Sequence, residues 1–346
     1  MRVTFVSYDD EPPLGGQGVV LRGMRRALTA RGVDVETIAG HGASAIDFPN
    51  VTGRAPLDLS LFLNRHPEVI TRGAPDVVHV QGGPGGVLLL RRLGVPLVYT
   101  AHHTYRQAYL PSDPRRVLSP LEGAAYRRAA RVLAVSESTA HAVIAMRVPA
   151  TRVEVVAPGI DLPDIDPSSH ETGRMLFVGR LEREKGALAA VALMRRVVER
   201  RPGWRGVIIG SGHQANAVRS EAAGSDQIAV LGRAEDATVS RELARASVVL
   251  MPSQYEGLGL VALEAQARET PVVGYDVTGL RDAVRDGGIL VEEDDEEALF
   301  LACMRVLEDD ALRALLGRRG REFVAREHSW ETVGRRLQQA YAAARV

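Results

Sequence analysis

Short apolar runs alternate with longer amphipathic stretches along almost the whole chain. The runs have the length of single buried strands, and the stretches between them carry apolar residues at helical spacing. Strands are predicted at residues 3–7, 33–38, 76–81, 96–101, 132–135 and 153–156, and again at 175–178, 207–209, 228–231, 248–251, 272–274 and 289–291. Helices are predicted between the strands, including one that begins at 87–93, and at 306–324 and 330–344 near the end. Strands that alternate with helices form parallel sheets, so the pattern predicts an α/β fold.

A stretch without hydrophobic periodicity divides the predicted strands into two equal sets. Residues 162–170 are polar and rich in proline, which is typical of a linker between domains. The strand and helix alternation starts again after it. The sequence therefore predicts two doubly wound, Rossmann-like domains, at residues 1–162 and 171–327.

The composition of the chain limits the classes of function that it can have. Hydrophobic residues make up 45% of the 346 residues and charged residues 25%, as in soluble globular proteins. Basic and acidic residues number 43 each, so no overall positive field indicates a nucleic-acid partner. The single cysteine, Cys303, excludes an internal disulfide. No uncharged run is long enough for a bilayer span, and the first residues lack a secretory apolar segment, so we expect a cytoplasmic protein.

One arginine-rich stretch has two interpretations. Residues 115–131 interleave Arg115, Arg116, Arg127, Arg128 and Arg131 with apolar residues. Peripheral contact with an anionic membrane or an anionic acceptor is one interpretation. A solvated helix face is the interpretation we favour, because such patterns are more common on ordinary surface helices.

In the N-terminal half, candidate residues follow the predicted strands at the ends where ligands bind in parallel sheets. Gly15 and Gly16 follow the first strand, although their spacing is not that of a dinucleotide fingerprint and a flexible turn is the alternative. His102 and His103 follow the fourth strand, and hydrogen-bonded loop histidines are the alternative there. No metal site is expected, because no cysteine or acidic partner lies at ligand spacing. Ser136 is a further candidate and a predicted N-cap.

In the C-terminal half, a glycine turn lies between two carboxylates. Gly257 and Gly259 separate the strand at 248–251 from a predicted helix, and they allow backbone amides to approach phosphate oxygens. Glu256 and Glu264 bracket this turn, and carboxylates accept hydrogen bonds from sugar hydroxyls. The segment 252–265 therefore suggests a sugar nucleotide. An ordinary turn with two solvated carboxylates is the alternative.

Two basic residues follow the first strand of the same half. Arg180 and Lys185 lie on one loop, where their charges can neutralise a diphosphate. Surface pairing with Glu182 and Glu184 is the alternative. Further candidates occupy the turn after this strand and those after the next two: Gly179, Gly210, Gly232 and Arg233.

Together these motifs resemble the retaining glycosyltransferases of family 4 (group 1), which have the GT-B fold. The spacing of Glu256 and Glu264 is the most specific feature, followed by the loop that carries Arg180 and Lys185. The glycine loop at residues 15–16, the turn at 158–161 and the Ser-Trp pair at 329–330 are also similar to the family. The resemblance extends over nearly the whole chain.

The resemblance implies a role for each candidate. Arg180 and Lys185 would bind the donor diphosphate, Glu264 the ribose, and Glu256 the transferred sugar. The remaining donor contacts would come from Gly15, Gly16, Gly179, Gly210, Gly232, Arg233, Gly257, Leu258, Gly259 and Leu260. His103 matches the family's histidine because Thr104 follows it, and the adjacent His102 is the alternative.

The family also implies the organisation of the reaction. Residues 1–162, with a C-terminal helix at 328–346 that crosses back to them, would bind the acceptor. Residues 171–327 would bind the donor across a cleft. A hexosyl group would pass from a nucleoside-diphosphate sugar to a hydroxyl with retention of anomeric configuration, without a metal or other cofactor. A UDP-sugar is favoured and GDP-mannose comes next; the acceptor, whether a small molecule, a glycan or a lipid-linked molecule, and the oligomeric state stay open.

Three other functions fit parts of the pattern. A nucleotide-sugar epimerase of the same architecture would need no acceptor. A non-catalytic two-lobed binding protein also has paired α/β halves, but it usually carries an export signal. An NAD-dependent oxidoreductase is weakened by the missing dinucleotide fingerprint.

Overall fold

The computed structural model describes residues 1–109, 113–166 and 170–345. The chain divides into two compact units. Unit 1 contains Met1–Gly159 and Glu327–Val346, and unit 2 contains Ile160–Arg326. The predicted linker begins just inside unit 2, and its residues 167–169 lie outside the described part of the chain.

Unit 1 is built on a six-stranded parallel sheet. Its strands are β1 (Arg2–Ser7), β2 (Asp34–Ala39), β3 (Val77–Gly82), β4 (Leu97–Ala101), β5 (Arg131–Ala134) and β6 (Val153–Val155). Their order across the sheet is β2-β1-β3-β4-β5-β6. Val3 of β1 pairs with Val35 on one side and Val77 on the other. The central strands are buried along nearly their whole length, which explains their continuous apolar runs.

The helices of unit 1 cover this sheet. They are α1 (Gly16–Thr29), α2 (Ala55–Arg65), α3 (Glu68–Thr71), α4 (Tyr105–Ala108), α5 (Ser119–Arg128), α6 (Glu137–Ile144) and, from the end of the chain, α14 (Trp330–Ala344). The α14 helix packs along α1. Its buried Tyr341 hydroxyl lies 2.6 Å from His79 Nδ1 on β3, and His79 Nε2 lies 2.8 Å from Thr100 Oγ1 on β4. The end of the chain is thus joined to the sheet of unit 1.

Unit 2 repeats the architecture with a second six-stranded parallel sheet. Its strands are β7 (Arg174–Val178), β8 (Arg205–Ile209), β9 (Ile228–Gly232), β10 (Val248–Met251), β11 (Val272–Tyr275) and β12 (Gly288–Val291). The order is β12-β11-β10-β7-β8-β9, the doubly wound order of Rossmann folds. The strands β8 and β9 lie on one side of β7, whereas β10, β11 and β12 lie on its other side, so the strand order reverses between β7 and β10. The loops after these two strands therefore meet at the switch point, where ligands bind in such sheets.

The helices of unit 2 follow its strands. They are α7 (Ala187–Arg200), α8 (Ala215–Ala222), α9 (Asp236–Arg245), α10 (Leu260–Gln266), α11 (Thr278–Val284), α12 (Glu296–Glu308) and α13 (Asp310–Glu327). Cys303 is fully buried on α12. Within the described residues, no helix combines the length and the apolar character needed to cross a bilayer.

The predicted α/β fold is confirmed, and all twelve predicted strands are present within two residues of their expected limits. The helix predicted to begin at residues 87–93 is wrong, because that segment is irregular. Its amides are bound by side chains instead: Leu89 N donates to the Tyr99 hydroxyl at 2.7 Å, and Leu90 N to Asn64 Oδ1 at 2.7 Å. The single helix predicted at 306–324 is two helices that meet at Asp309.

Candidate active site

The ends of β7, β8 and β9 are joined by backbone hydrogen bonds. Gly179 N donates to Ile209 O at 3.0 Å, and Gly210 N donates to Gly232 O at 2.8 Å. Gly210 has a φ of +153°, and a Cβ on it would overlap the Gly179 carbonyl oxygen. Only glycine allows this approach. The three predicted glycine turns therefore lie side by side at one edge of the sheet.

Lys185 and Glu256 form an ion pair across the switch point. Lys185 Nζ lies 2.8 Å from Glu256 Oε1, and the two side chains are 20% and 8% exposed. Ser253 Oγ donates to the same Oε1 at 2.9 Å. Of the 43 lysine and arginine residues in the chain, Lys185 is the only lysine. All the other residues in this count are arginines, so this ion pair contains the one lysine ammonium of the sequence and not a guanidinium.

The two loops that carry this ion pair are held together by their backbones. Gly186 has a φ of +69°, and a Cβ there would overlap the Pro252 carbonyl oxygen. The amide of Gln254 donates to Glu184 O at 3.0 Å. Because both contacts involve the main chain, the separation of Lys185 from Glu256 is fixed by the fold and not only by the side chains.

Arg180 lies at the exposed side of the same loop. Its guanidinium donates to Glu184 Oε1 at 2.9 Å, and its side chain is 66% exposed. This is one of the surface pairs expected as the alternative to a diphosphate site. Glu182 instead binds His213, whose backbone amide donates at 3.1 Å and whose Nδ1 lies 2.9 Å away. The His213 amide and ring lower the pKa of Glu182.

The glycine turn after β10 leads directly into α10. Gly259 has a φ of +84° and forms the N-cap of this seven-residue helix. Its carbonyl accepts hydrogen bonds from Ala262 N at 2.9 Å and Leu263 N at 3.4 Å. Leu258 is buried beside it. Gly257, Leu258 and Gly259 thus form the predicted turn between a buried strand and a helix, and Leu260 is the first residue of that helix.

Glu264 is half-buried on α10, one helical turn beyond the glycine turn. Burial raises the pKa of Glu264 to about 7; the Arg268 charge opposes this rise, and the Asp236 and Asp161 charges add to it. The Arg268 guanidinium donates to Glu264 O and to Ser240 Oγ, each at 2.8 Å. The arginine is therefore anchored by the backbone and a serine, close to the carboxyl group of Glu264.

Gly232 and Arg233 are less enclosed. No heavy atom of the described residues lies within 4 Å of the position that a Cβ on Gly232 would take, and the side chain of Arg233 is exposed. This edge of the site is open to solvent at the end of β9.

The glycines of unit 1 lie beside a buried carboxylate that we did not predict. Asp9 is 6% exposed, and it accepts hydrogen bonds from Leu14 N at 2.8 Å and from Gly15 N and Gly18 N at 3.1 Å each. Gly16 begins α1. The carboxylate of Asp9 is therefore the hydrogen-bond acceptor for backbone amides at the start of this helix. The adjacent Asp9 and Asp10, which follow β1 within three residues, were the signal in the sequence, since an aspartate is rarely buried unless its carboxylate has partners.

The two histidines of unit 1 differ in exposure. His102 is 8% exposed, its Nε2 lies 2.8 Å from Gln81 Oε1, and burial lowers its pKa to about 3, with a smaller contribution from His103. His102 is therefore a neutral, hydrogen-bonded interior residue. His103 is half-buried, so its side chain is the more accessible of the two. Ser136 is buried and accepts a hydrogen bond from Thr139 N at 3.2 Å, as the predicted N-cap of α6.

Comparison with known families matches both halves of the chain. Residues 14–163 match the model described as Glycosyltransferase Family 4, and residues 163–323 match the model described as Glycosyl transferases group 1. The two matched segments meet at residue 163, near the start of unit 2.

Similar proteins include named enzymes. A D-inositol 3-phosphate glycosyltransferase of Nocardioides sp. is 30% identical over 100% of this chain and 90% of its own length. A glycogen synthase of Mycobacterium tuberculosis is 29% identical over 78% of this chain and 69% of its own. Among solved structures, Anabaena Alr3699/HepE in complex with UDP-glucose has a TM-score of 0.77 and 17% identity, covering 99% of this chain and 100% of that one. The expected family is thereby confirmed: the chain is a glycosyltransferase and belongs to glycosyltransferase family 4.

Proposed function

We propose that the protein transfers a hexosyl group from a nucleoside-diphosphate sugar to an acceptor hydroxyl, with retention of anomeric configuration. A UDP-sugar is the favoured donor and GDP-mannose the next. The fold shared with HepE, whose solved complex contains UDP-glucose, supports this order. The ion pair of Lys185 and Glu256 at the switch point of unit 2 supports the reaction.

The pairing of Lys185 with Glu256 is the observation that carries the proposal. An ammonium 2.8 Å from a carboxylate oxygen combines a partner for phosphate with a partner for sugar hydroxyls. In a sugar nucleotide these two groups are adjacent. The diphosphate gains negative charge as the bond to the sugar breaks, so Lys185 and Arg180 stabilise the transition state more than the ground state.

The other contacts follow the outline of the donor. We assign Glu264 to the ribose, Gly232 and Arg233 to the vicinity of the base, and the amides of residues 257–260 to the phosphates. Gly179 and Gly210 leave room for the backbone to approach. We assign His103 to the sugar, with the donor phosphate oxygen taking the acceptor proton on the same face.

The acceptor is a hydroxyl compound of open identity. The names of two relatives, D-inositol 3-phosphate glycosyltransferase and glycogen synthase, suggest a polyol phosphate and a glucan as the first acceptors to assay. Unit 1 is the proposed acceptor domain.

A thermal-shift panel tests the donor assignment. A ligand at about 100 times its Kd stabilises the native state by about 2.7 kcal/mol. We expect UDP and UDP-sugars to raise Tm more than GDP, GDP-mannose or NAD, and a positive UDP-sugar to release UDP when an acceptor is added. Stabilisation by NAD alone would contradict the proposal. An epimer formed from the donor alone would show an epimerase instead.

A further inference from the structure

We propose that Ser253 is a positioning residue: it fixes Oε1 of Glu256 beside Lys185 and thereby presents Oε2 to the transferred sugar. This inference rests on the proposed function, since it gives Glu256 the sugar contact. The serine itself touches neither phosphate nor sugar in this arrangement; it acts through Glu256.

Both donors to Glu256 converge on a single oxygen. Ser253 Oγ lies 2.9 Å from Oε1 and Lys185 Nζ lies 2.8 Å from it. Among residues 1–109, 113–166 and 170–345, no hydrogen bond or ion pair reaches Oε2. A carboxylate that is held through one oxygen keeps the other as an acceptor of defined direction. That acceptor is suited to a sugar hydroxyl.

Ser253 is placed where it can impose this orientation. It is 2% exposed and lies two residues after the end of β10. The residue before it, Pro252, packs its carbonyl against Gly186. The serine is therefore anchored to the sheet, whereas Glu256 lies in the turn that follows. A short hydroxyl side chain loses little rotamer entropy when it is fixed in this way.

The serine matters most when the donor is bound. A diphosphate competes with Glu256 for the ammonium of Lys185, because it carries more charge than one carboxylate. As Lys185 turns towards phosphate, Ser253 is the neutral partner that stays on Oε1. The orientation of Glu256 is then maintained during transfer of the sugar.

Kinetics of three variants test this role. We expect Ser253→Ala to lower kcat for UDP release from UDP-glucose by about tenfold, with KM and the Kd for UDP within about twofold of wild type. Ser253→Thr, which retains the hydroxyl, should recover most of kcat. Ser247→Ala is the matched control, because Ser247 is a buried serine at the other end of β10 that binds Glu171 O at 2.7 Å. Unchanged kcat in Ser253→Ala would overturn the proposal.

The single lysine offers a readout that does not depend on turnover. Acetylation with an N-hydroxysuccinimide ester modifies only Lys185 and the α-amino group, whose rate serves as internal reference. Loosening Glu256 should make Lys185 react several-fold faster in Ser253→Ala than in wild type or Ser247→Ala. Equal rates would contradict the positioning role. Wild-type protein that releases a nucleoside diphosphate from neither UDP-sugars nor GDP-mannose would instead refute the proposed function, while the labelling result would still report on Ser253.

Discussion

At the scale of single residues, the proposed role of Glu256 predicts that its substitution lowers the rate of transfer without weakening nucleotide binding. Glu256→Gln keeps the size of the side chain but removes its charge, so Lys185 loses its partner and becomes more available to phosphate. We expect kcat to fall by about 100-fold while the Kd for UDP is unchanged or lower. Steady-state kinetics with UDP-glucose and calorimetry with UDP measure the two quantities. Weaker UDP binding at an unchanged kcat would return Glu256 to a structural role.

The proposed contact of Glu264 with the ribose predicts that donor affinity depends on pH. Its pKa of about 7 means that the carboxyl is protonated in acid and ionised above neutrality. The ionised form accepts hydrogen bonds through both oxygens, and its charge strengthens them, so UDP-glucose should bind more tightly as pH rises from about 6 to about 8, by up to about tenfold per unit below the pKa. Calorimetric titration across this range measures the effect.

The matched variant for this pH effect is Glu264→Gln, which should bind UDP-glucose with a Kd independent of pH. The pH dependence of protein stability has the opposite sign to that of UDP-glucose binding. Because the folded pKa of Glu264 lies above the unfolded value of 4.5, the folded state binds more protons between these values, and the contribution to stability is lost as pH rises through about 7. Glu264→Gln should flatten that loss in urea unfolding. Persistent pH dependence of binding in the variant would assign it to another group.

Residue types alone did not distinguish His102 from His103. In the structure His102 is buried, and its ring is hydrogen-bonded to the side chain of Gln81 on the neighbouring strand β3, a residue distant in sequence. The capture of the Gly15 amide by Asp9 likewise depends on how the loop folds back. Motif spacing predicted which residues lie at strand ends; it contained no information on which of them have internal partners.

At the scale of elements, Gly186 lies where the two loops of the proposed donor site meet. Gly186→Ala combines a left-handed φ of +69° with overlap of the Pro252 carbonyl. We expect it to weaken UDP binding by more than about tenfold, because the Lys185 loop must move away from Glu256. Titration of the variant with UDP measures the change in affinity, and urea unfolding measures the change in stability.

Gly32→Ala is the control for backbone strain. Gly32 has a φ of +74°, and in the part of the chain that the structure describes no heavy atom lies within 4 Å of the position of a Cβ. Alanine there should therefore cost about 1–2 kcal/mol of stability and leave UDP binding unchanged. If both variants bound UDP like wild type, the contact between the loops would be unimportant for the site.

The strands were predictable because each is an uninterrupted apolar run that is buried in a parallel sheet. The segment at residues 87–93 has the same apolar character but no helix. Its Val87, Leu88 and Leu89 are buried, and the amides of residues 88–91 are satisfied by Ser60, Asn64 and Tyr99 from elsewhere in unit 1. Hydrophobicity predicted burial correctly there. The hydrogen-bond partners that replace a helix are distant in sequence and could not be predicted from the local pattern.

At the scale of the whole molecule, the described part of the chain contains two parallel sheets of six strands whose orders differ. Only unit 2 has the symmetrical doubly wound order, and it carries the Lys185–Glu256 pair at its switch point. The repeat of strands and helices predicted two doubly wound halves, but it did not predict that their strand orders differ. The return of α14 to unit 1 was implied by resemblance to the family and not by periodicity, since an amphipathic helix packs equally well on many surfaces.

In the proposed reaction, the positive charge opposite the donor diphosphate comes from Arg180 and Lys185, which predicts turnover without a divalent metal. Arg180 and Lys185 carry two charges, which match the two negative charges of the diphosphate in a sugar nucleotide. We expect a chelator such as EDTA to change kcat/KM by less than about twofold, whereas Lys185→Ala lowers it by about 100-fold or more. Initial rates of UDP release with and without chelator, and after addition of Mg²⁺, measure both effects. Loss of activity in EDTA that Mg²⁺ restores would mean that a metal ion shares the diphosphate with these two residues.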